Sequence, residues 1–495
     1  MMLSRLKRFD WTGWLALAGT AFVLILAPLV PGRESAGAIP LDTIVLTVPI
    51  AILLAVPLLT RGGRFSIPRL GIELPALMFL GWALVSALAT GAQPSVIATW
   101  ARYASYVLLV YVVAAVAADE TRRRVMLWIL AITGSITVGH GFWQYVNPTT
   151  NIGMQGLDTS VATRVFATFD NPNFYAEFLV LVFGVTLALV FIERGLLRYL
   201  AAVLIVAQAM ALLLTYTRGS WLALAFGLAI GVLMIDGRLI WPFALGGASL
   251  IPFVPGALSR VMSIFSLEGT ASFRLILWRV AGDAIATRPV FGVGMGRFYD
   301  AFTQAVLSNP ALNIGYLFYG AHQSYFQLAA ETGVIGGLAF AWMVFEGCRM
   351  GGFYNLRMTG DLRARLANAA LAAGIIAFAV NALTSNAFQH PRGAVFFFVL
   401  LGLQGGLGAS YWTNAAVKRT STRSLVPTVW SVSVVGRIYA AIERLLAAWW
   451  SASLVRRVLM REPAGNGMLL AESTVARLLI GEGRQPRIGS PQAGQ

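Results

Sequence analysis

The chain has 495 residues, of which 58% are hydrophobic and only 12% charged, with a formal net charge of +16. A soluble domain is about 25% charged, and a larger core does not remove the need for a polar surface, so this composition and a mean hydropathy of +0.73 exclude a soluble globular protein. The positive charge does not point to nucleic acid, because the arginines lie mainly between apolar runs, where they set membrane topology. The single Cys348 rules out an internal disulfide framework, and the three scattered histidines give no metal-binding motif, so neither a metal nor another cofactor is expected.

The basic start with Arg5, Lys7 and Arg8 precedes an apolar stretch without a convincing small-residue cleavage site, which reads as a retained first helix. Apolar runs follow at 41–60, 70–90, 99–118, 124–142, 173–191, 198–215, 220–236, 238–255, 324–347, 366–383 and 393–410; with 13–31 they make twelve spans. Each is near the length of about 20 residues that crosses a bilayer as a helix. The fold class expected is therefore all-α, a polytopic membrane protein.

Charge tests the count. With the N-terminus in the cytoplasm, the connections 61–69, 120–125, 193–198, 236–238 and 349–365 fall on the same side and are rich in arginine. Both termini then face the cytoplasm. Two long connections fall on the opposite side, at about 143–172 and 256–323. The second contains an amphipathic stretch near 271–286, stopped by Arg288-Pro289, and then the glycine-rich FGVGMGRF. A connection of this length is usually functional or disordered. Two domains are expected: residues 1–411 as the membrane part, and 412–495 as a basic cytoplasmic tail with amphipathic helices at 430–460 and a disordered end.

Four polar constellations lie on the non-cytoplasmic side. In the first, Arg164 precedes Asp170-Asn171-Pro172-Asn173, which reads as a helix cap and turn. The second, Tyr216-Thr217-Arg218-Gly219-Ser220-Trp221, is a sharp polar turn between two apolar helices. Its Arg218 sits where few positive charges are expected and suits bidentate phosphate binding. In the third, Arg274 lies one turn before Trp278, on the same helix face. In the fourth, His322 stands at the mouth of a helix, followed by Ser324, Gln327 and Glu331 as a polar stripe. Glu331 needs a partner, either Gln327 or an arginine, and Gly333 and Gly336 read as close-packing positions. His140 and His390 read as interfacial and structural. Arginines and a histidine above a helical bundle suit a lipid-linked pyrophosphate: the guanidinium groups stabilise the leaving diphosphate and the imidazole takes a proton from an acceptor hydroxyl.

This ordered set resembles the O-antigen ligase and polysaccharide polymerase superfamily of bacterial inner-membrane proteins. The residues that carry the resemblance are Arg164 with Asn171-Pro172-Asn173, Thr217-Arg218-Gly219-Ser220, Arg274 with Trp278 leading to Gly292-Val293-Gly294, and His322-Gln323-Ser324-Tyr325 with Glu331-Thr332-Gly333. The resemblance implies a membrane-embedded, metal-independent glycosyltransferase of the C type that takes a glycan from undecaprenyl diphosphate at the periplasmic face. It implies His322 as the catalytic residue and Arg218 and Arg274 as diphosphate-binding residues; Arg164, Gln327 and Glu331 are further substrate-binding candidates by their place in the four constellations. The family usually has a small residue where Asp170 stands and often asparagine where Gln323 stands. The implied partners are the lipid-linked donor, a glycan or lipid-linked acceptor, membrane lipids, and polysaccharide-export or chain-length-regulating proteins. An exopolysaccharide or O-antigen polymerase is expected first. A ligase transferring to lipid A-core, and a flippase for lipid-linked oligosaccharide, are the alternatives.

Overall fold

The structure is a computed structural model that describes residues 11–29, 70–147, 164–169, 171–250, 270–312, 320–357 and 361–418. The expected span 41–60 and the amphipathic and disordered parts of the tail lie outside these residues. The described residues form α-helices and short 3-10 turns, with no strand among them. The helices are α1 (Trp11–Leu26), α2 (Glu73–Ala89), α3 (Pro94–Ala117), α4 (Glu120–Val146), α5 (Pro172–Ile192), α6 (Gly195–Leu214), α7 (Arg218–Ile235) and α8 (Ile240–Leu250). They continue with α9 (Thr270–Thr287), α10 (Phe298–Ser308), α11 (Ser324–Arg357), α12 (Leu362–Asn381) and α13 (Pro391–Lys418). Every expected span except 41–60 falls on one of them, and eight helices (α3 to α7 and α11 to α13) are long and apolar enough to cross a membrane. The chain is a polytopic, all-α integral membrane protein.

The helix starts follow local chemistry. Proline opens α3, α5 and α13, where its missing N–H costs nothing. Asp119 caps α4 by accepting from Arg122 N at 2.9 Å, and Asp361 caps α12 by accepting from Ala364 N at 3.0 Å. The loop helix expected near 271–286 is α9, and it stops at Thr287, just before Arg288-Pro289. The tight turn expected at 236–238 is a 3-10 turn capped by Asp236.

Contacts between connections sort the helix ends into two groups. Arg124 and Trp128 both bond Glu193, and Arg365 donates to the Ile235 carbonyl at 3.2 Å. These residues belong to the α3–α4, α5–α6, α7–α8 and α11–α12 connections, the ones expected to be basic. At the opposite end, Val165 N donates to Leu214 O at 3.2 Å, and Ser324 N to Ala382 O at 2.9 Å. Asn381 Nδ2 donates to Ser220 Oγ at 2.9 Å, and Ser86 Oγ to Phe291 O. All four polar constellations therefore share one end of the bundle, away from the arginine-rich connections.

Small residues let the central helices approach closely. A Cβ on Gly184 of α5 would sit 2.8 Å from the Ala370 carbonyl of α12, and one on Gly402 of α13 would sit 2.6 Å from the Val110 carbonyl of α3. Lipid tails are as apolar as leucine, so van der Waals fit between backbones has to hold such helices together. On the periphery, α6 leaves Leu196, Tyr199, Val203 and Val206 exposed at helical spacing, a face for acyl chains.

Candidate functional site

The 164–169 segment and the α6–α7 turn are knitted together around Arg164. Its Nε donates to the Thr215 carbonyl at 2.9 Å, and its terminal nitrogen donates to Asn173 Oδ1 and Thr217 Oγ1, both at 3.2 Å. Asn171 caps α5 as expected, its side chain accepting from Asn173 N at 2.8 Å. Arg164, expected to bind substrate, thus clamps the turn that carries Arg218. Thr217 does not cap its own helix; its hydroxyl goes to Asn173 Oδ1 at 3.3 Å and Pro172 O at 3.4 Å. Arg218 is the first residue of α7, so its guanidinium is rooted at the positive end of a helix dipole. The turn is sharp enough to hold Tyr216 at φ 51.

Arg274 comes from α9 and shares its electrostatic environment with Arg218 and with Glu177 of α5. Burial, chiefly, and then the charge of Arg218 pull its proton affinity below that of an ordinary arginine, and Glu177 partly offsets both. Two half-buried guanidinium groups that act on each other repel and together attract a dianion. One turn along α9, Trp278 meets the Phe326 ring edge-on at a centroid distance of 6.3 Å, so the face carrying Arg274 and Trp278 looks toward the start of α11.

His322 is in the turn that enters α11. It is half-buried, with φ at 50, a conformation uncommon outside glycine. The turn is held from both sides. Ala321 N donates to Gln327 Oε1 at 3.1 Å, and Gln323 Oε1 accepts from Phe326 N. Ser324 ties it to the α12–α13 connection: Ser324 Oγ donates to Ser385 O at 3.0 Å and accepts from Phe388 N at 3.2 Å, while Gln389 Nε2 donates to Ser324 O at 3.1 Å. A strained histidine locked by its neighbours is a common sign of a functional position.

Gln327 and Glu331 are fully engaged inside the protein. Gln327 Nε2 donates to Glu331 Oε1 at 2.9 Å, and Gly296 N donates to Glu331 Oε2, also at 2.9 Å. Arg102 of α3 adds its charge nearby, so both partners expected for Glu331 are present. Beyond Glu331 the helix breaks. Gly333 has φ 79 and ψ 170, and the freed backbone pairs with the glycine-rich segment: Val293 N with Ala330 O, Gly294 N with Glu331 O, and Val334 N with Pro289 O, each at 2.9 Å. Trp82 of α2 seals the joint, its Nε1 donating to Thr332 O at 3.0 Å and Val290 O at 3.2 Å. Gly333 was expected to serve helix packing; its role is to break α11, because a Cβ there would strike the Val290 carbonyl in a backbone region reserved for glycine. Gly333→Ala is expected to destabilise the fold by at least the roughly 1–3 kcal/mol of such strain and to abolish activity by displacing residues 289–297. Thermal unfolding in detergent checks this against Gly282→Ala, whose Cβ would meet nothing within 4 Å.

Four other residues stand out. Glu177 lies within α5, is 1% exposed, and its two carboxylate oxygens have no hydrogen-bond partner among the described residues. An acidic residue inside an apolar span is itself a signal of function, and PNFYAEFLVLVF carries that signal in the sequence. Arg392 is fully buried; it donates to the Thr168 carbonyl at 2.9 Å and lies over the Phe169 ring. His390, expected at the interface, is buried against Phe174, because the α12–α13 connection folds back over α5. His140 stacks on Trp143.

No curated protein matches the chain. A family model described as O-antigen ligase matches residues 200–341. That stretch contains Arg218, Arg274, His322, Gln327 and Glu331, and ends within α11. Over residues 200–341, therefore, the chain is similar to the O-antigen ligase family of membrane proteins, the superfamily that its ordered motifs resemble.

Proposed function

We propose that the protein transfers a glycan from undecaprenyl diphosphate to an acceptor sugar hydroxyl, acting as an exopolysaccharide or O-antigen polymerase. The observation that supports this reading is the grouping of the half-buried Arg218 and Arg274, close enough to act on each other's charge, at the same end of the bundle as His322. The acceptor hydroxyl gives its proton to the His322 imidazole and its oxygen bonds to the anomeric carbon. The bond from that carbon to the diphosphate oxygen breaks, and the electron pair leaves with the diphosphate, stabilised by Arg218 and Arg274. No metal ion is required, because two guanidinium groups already meet the developing charge. Arg164 positions Arg218, while Gln327 and Glu331 position the His322 turn and the glycine-rich segment.

Arg122, Arg123, Arg124, Arg194, Arg198, Arg238, Arg363 and Arg365 cluster at the end opposite the site. The positive-inside rule then supports a bacterial inner-membrane protein with both termini in the cytoplasm and the site facing the periplasm. We assign catalysis to residues 1–411 and a cytoplasmic role to 412–495, and α13 runs past that boundary to Lys418. The polyprenyl chain would lie in the bilayer against the helices. Export or chain-length-regulating proteins are the expected protein partners.

A second reading, a ligase passing the glycan to lipid A-core, is favoured by the description of the matching family model. Reconstitution with undecaprenyl-diphosphate-linked repeat units, with and without lipid A-core, separates the readings. The expected product is a longer lipid-linked glycan formed without the core lipid. Glycan found only on lipid A-core would establish the ligase. Movement of the lipid across the bilayer without covalent transfer would overturn both in favour of a flippase.

A further inference from the structure

The connection between α12 and α13, NALTSNAFQHPR at 381–392, crowds polar side chains between two apolar spans. Several of them hold the connection in place. Asn381 Nδ2 donates to Ser220 Oγ at 2.9 Å, two residues from Arg218, and a Cβ on Gly219 would sit 3.1 Å from Thr384 Oγ1. On the other side, Ser324 N donates to Ala382 O at 2.9 Å and Ser324 Oγ to Ser385 O at 3.0 Å, two residues from His322. The connection therefore joins the Arg218 turn to the His322 turn.

Two of its side chains have capacity left over. Gln389 Nε2 donates to Ser324 O at 3.1 Å, which fixes the amide; its Oε1 is enclosed and meets no donor among the described residues. Asn386 is 8% exposed, and its Oδ1 is likewise enclosed and unpaired. The Asn386 amide lies against Gly320, where an added Cβ would strike it and would come within 2.7 Å of Gln327 Oε1. The two amides thus bracket His322, one against the residue two before it and one bonded to the residue two after it. An enclosed carbonyl oxygen without a donor costs free energy, and an apolar side chain of the same shape would not. What both oxygens lack is a donor, and a sugar presents hydroxyl donors on every side.

We propose that Asn386 and Gln389 form the subsite for the acceptor sugar: their side-chain oxygens accept hydrogen bonds from hydroxyls flanking the one that attacks, and so turn that hydroxyl toward His322. The turn at 320–324 lies against both amides, so the sugar reaches their oxygens by a small outward shift of that turn. Such a subsite selects by hydroxyl pattern, because a sugar lacking a hydroxyl at the right position leaves the carbonyls unpaired. The inference rests on the glycan-transfer reading above and names what recognises the acceptor.

The test uses the full chain in lipid nanodiscs. The donor is an undecaprenyl-diphosphate-linked repeat unit, and the acceptor is a free repeat-unit oligosaccharide or lipid A-core, whichever the wild type extends. Asn386→Leu keeps the size and removes the amide. It is expected to lower kcat/KM for the acceptor about tenfold, while the donor KM stays the same and thermal stability does not fall. Gln389→Leu is expected to show the same acceptor loss together with lower stability, because it also releases Ser324. An Asn386→Leu protein that uses the acceptor as well as the wild type does overturns the inference while the transfer reading stands. So does one whose donor KM rises as much as its acceptor KM, which would mark a general distortion of the site. Wild-type protein that extends neither acceptor overturns the transfer reading and this inference with it. If the leucine variant does not fold, Asn386→Ala is judged by the same outcomes.

Discussion

Glycine in place of His322 is expected to cut glycan transfer by roughly 10²–10⁴-fold, the usual share of a positioned proton acceptor, without lowering stability. The two effects separate for a structural reason. His322 has φ at 50, where a residue with a Cβ is strained and glycine is not. The turn is held by hydrogen bonds from Ala321, Gln323, Ser324 and Gln327. Removing the ring therefore relieves strain and deletes the proposed proton acceptor. His322→Ala removes the same ring but keeps the strain, so it is expected to be equally inactive and less stable than the glycine variant. Transfer assays on both variants, with thermal unfolding in parallel, check the assignment. Glycine at this position with undiminished transfer would remove His322 from the chemistry.

How much of this was legible in the sequence varies with the kind of signal. Hydropathy and arginine placement located the helices and sorted their ends, because burial in lipid leaves a polar group few options. The cap at Asn171, the turn at 215–217 and the loop helix with Arg274 and Trp278 were also readable, since each depends on neighbours close in sequence. What was hidden depends on distant partners. Arg164 reads as a phosphate ligand until Thr215, Thr217 and Asn173 are seen around it. Gln327 and Glu331 read as a stripe lining a substrate path until the glycine-rich segment is found docked against them. Gly333 reads as a packing glycine because a helix break filled by a segment some forty residues earlier leaves no local trace. Glu177 is a different case: the signal was present, one carboxylate in an apolar run, and only its relation to Arg274 required the fold.

The docked segment also explains how a site built from separate connections keeps its geometry. Arg218, Arg274 and His322 come from three different parts of the chain, and a misplacement of about 1 Å in such a constellation can cost 10²-fold in rate. Each is anchored through its neighbours: Arg164 under the Arg218 turn, the broken α11 against residues 289–297, and Ser324 against the α12–α13 connection. These anchors are buried or half-buried and bond both backbone and side-chain groups, so their loss should be read first in stability and only then in activity.

The paired arginines carry the second large effect. Arg218→Ala and Arg274→Ala are each expected to lower transfer by about 10²–10³-fold, the range found when one preorganised donor to a developing anion is removed. Lysine should recover part of that loss at either position. It restores the charge, but not the flat fork that can meet two phosphate oxygens at once. The double alanine variant should fall short of the product of the single losses if, as proposed, the two groups hold one diphosphate, because the first deletion already weakens what the second can contribute. Their mutual repulsion acts in the same direction: with Arg218 gone, Arg274 keeps the effect of burial but loses the neighbouring charge that also lowers its proton affinity. Arg164→Ala is the contrast. It leaves both charges in place but unclamps the turn beneath Arg218, so it should lower thermal stability while its activity loss is partly offset by cooling. Steady-state kcat and KM for the lipid-linked donor, measured for the single, double and lysine variants in the same nanodiscs, test the pairing directly. Losses that simply multiply would mean that Arg218 and Arg274 act on different groups, and that the diphosphate is not shared between them.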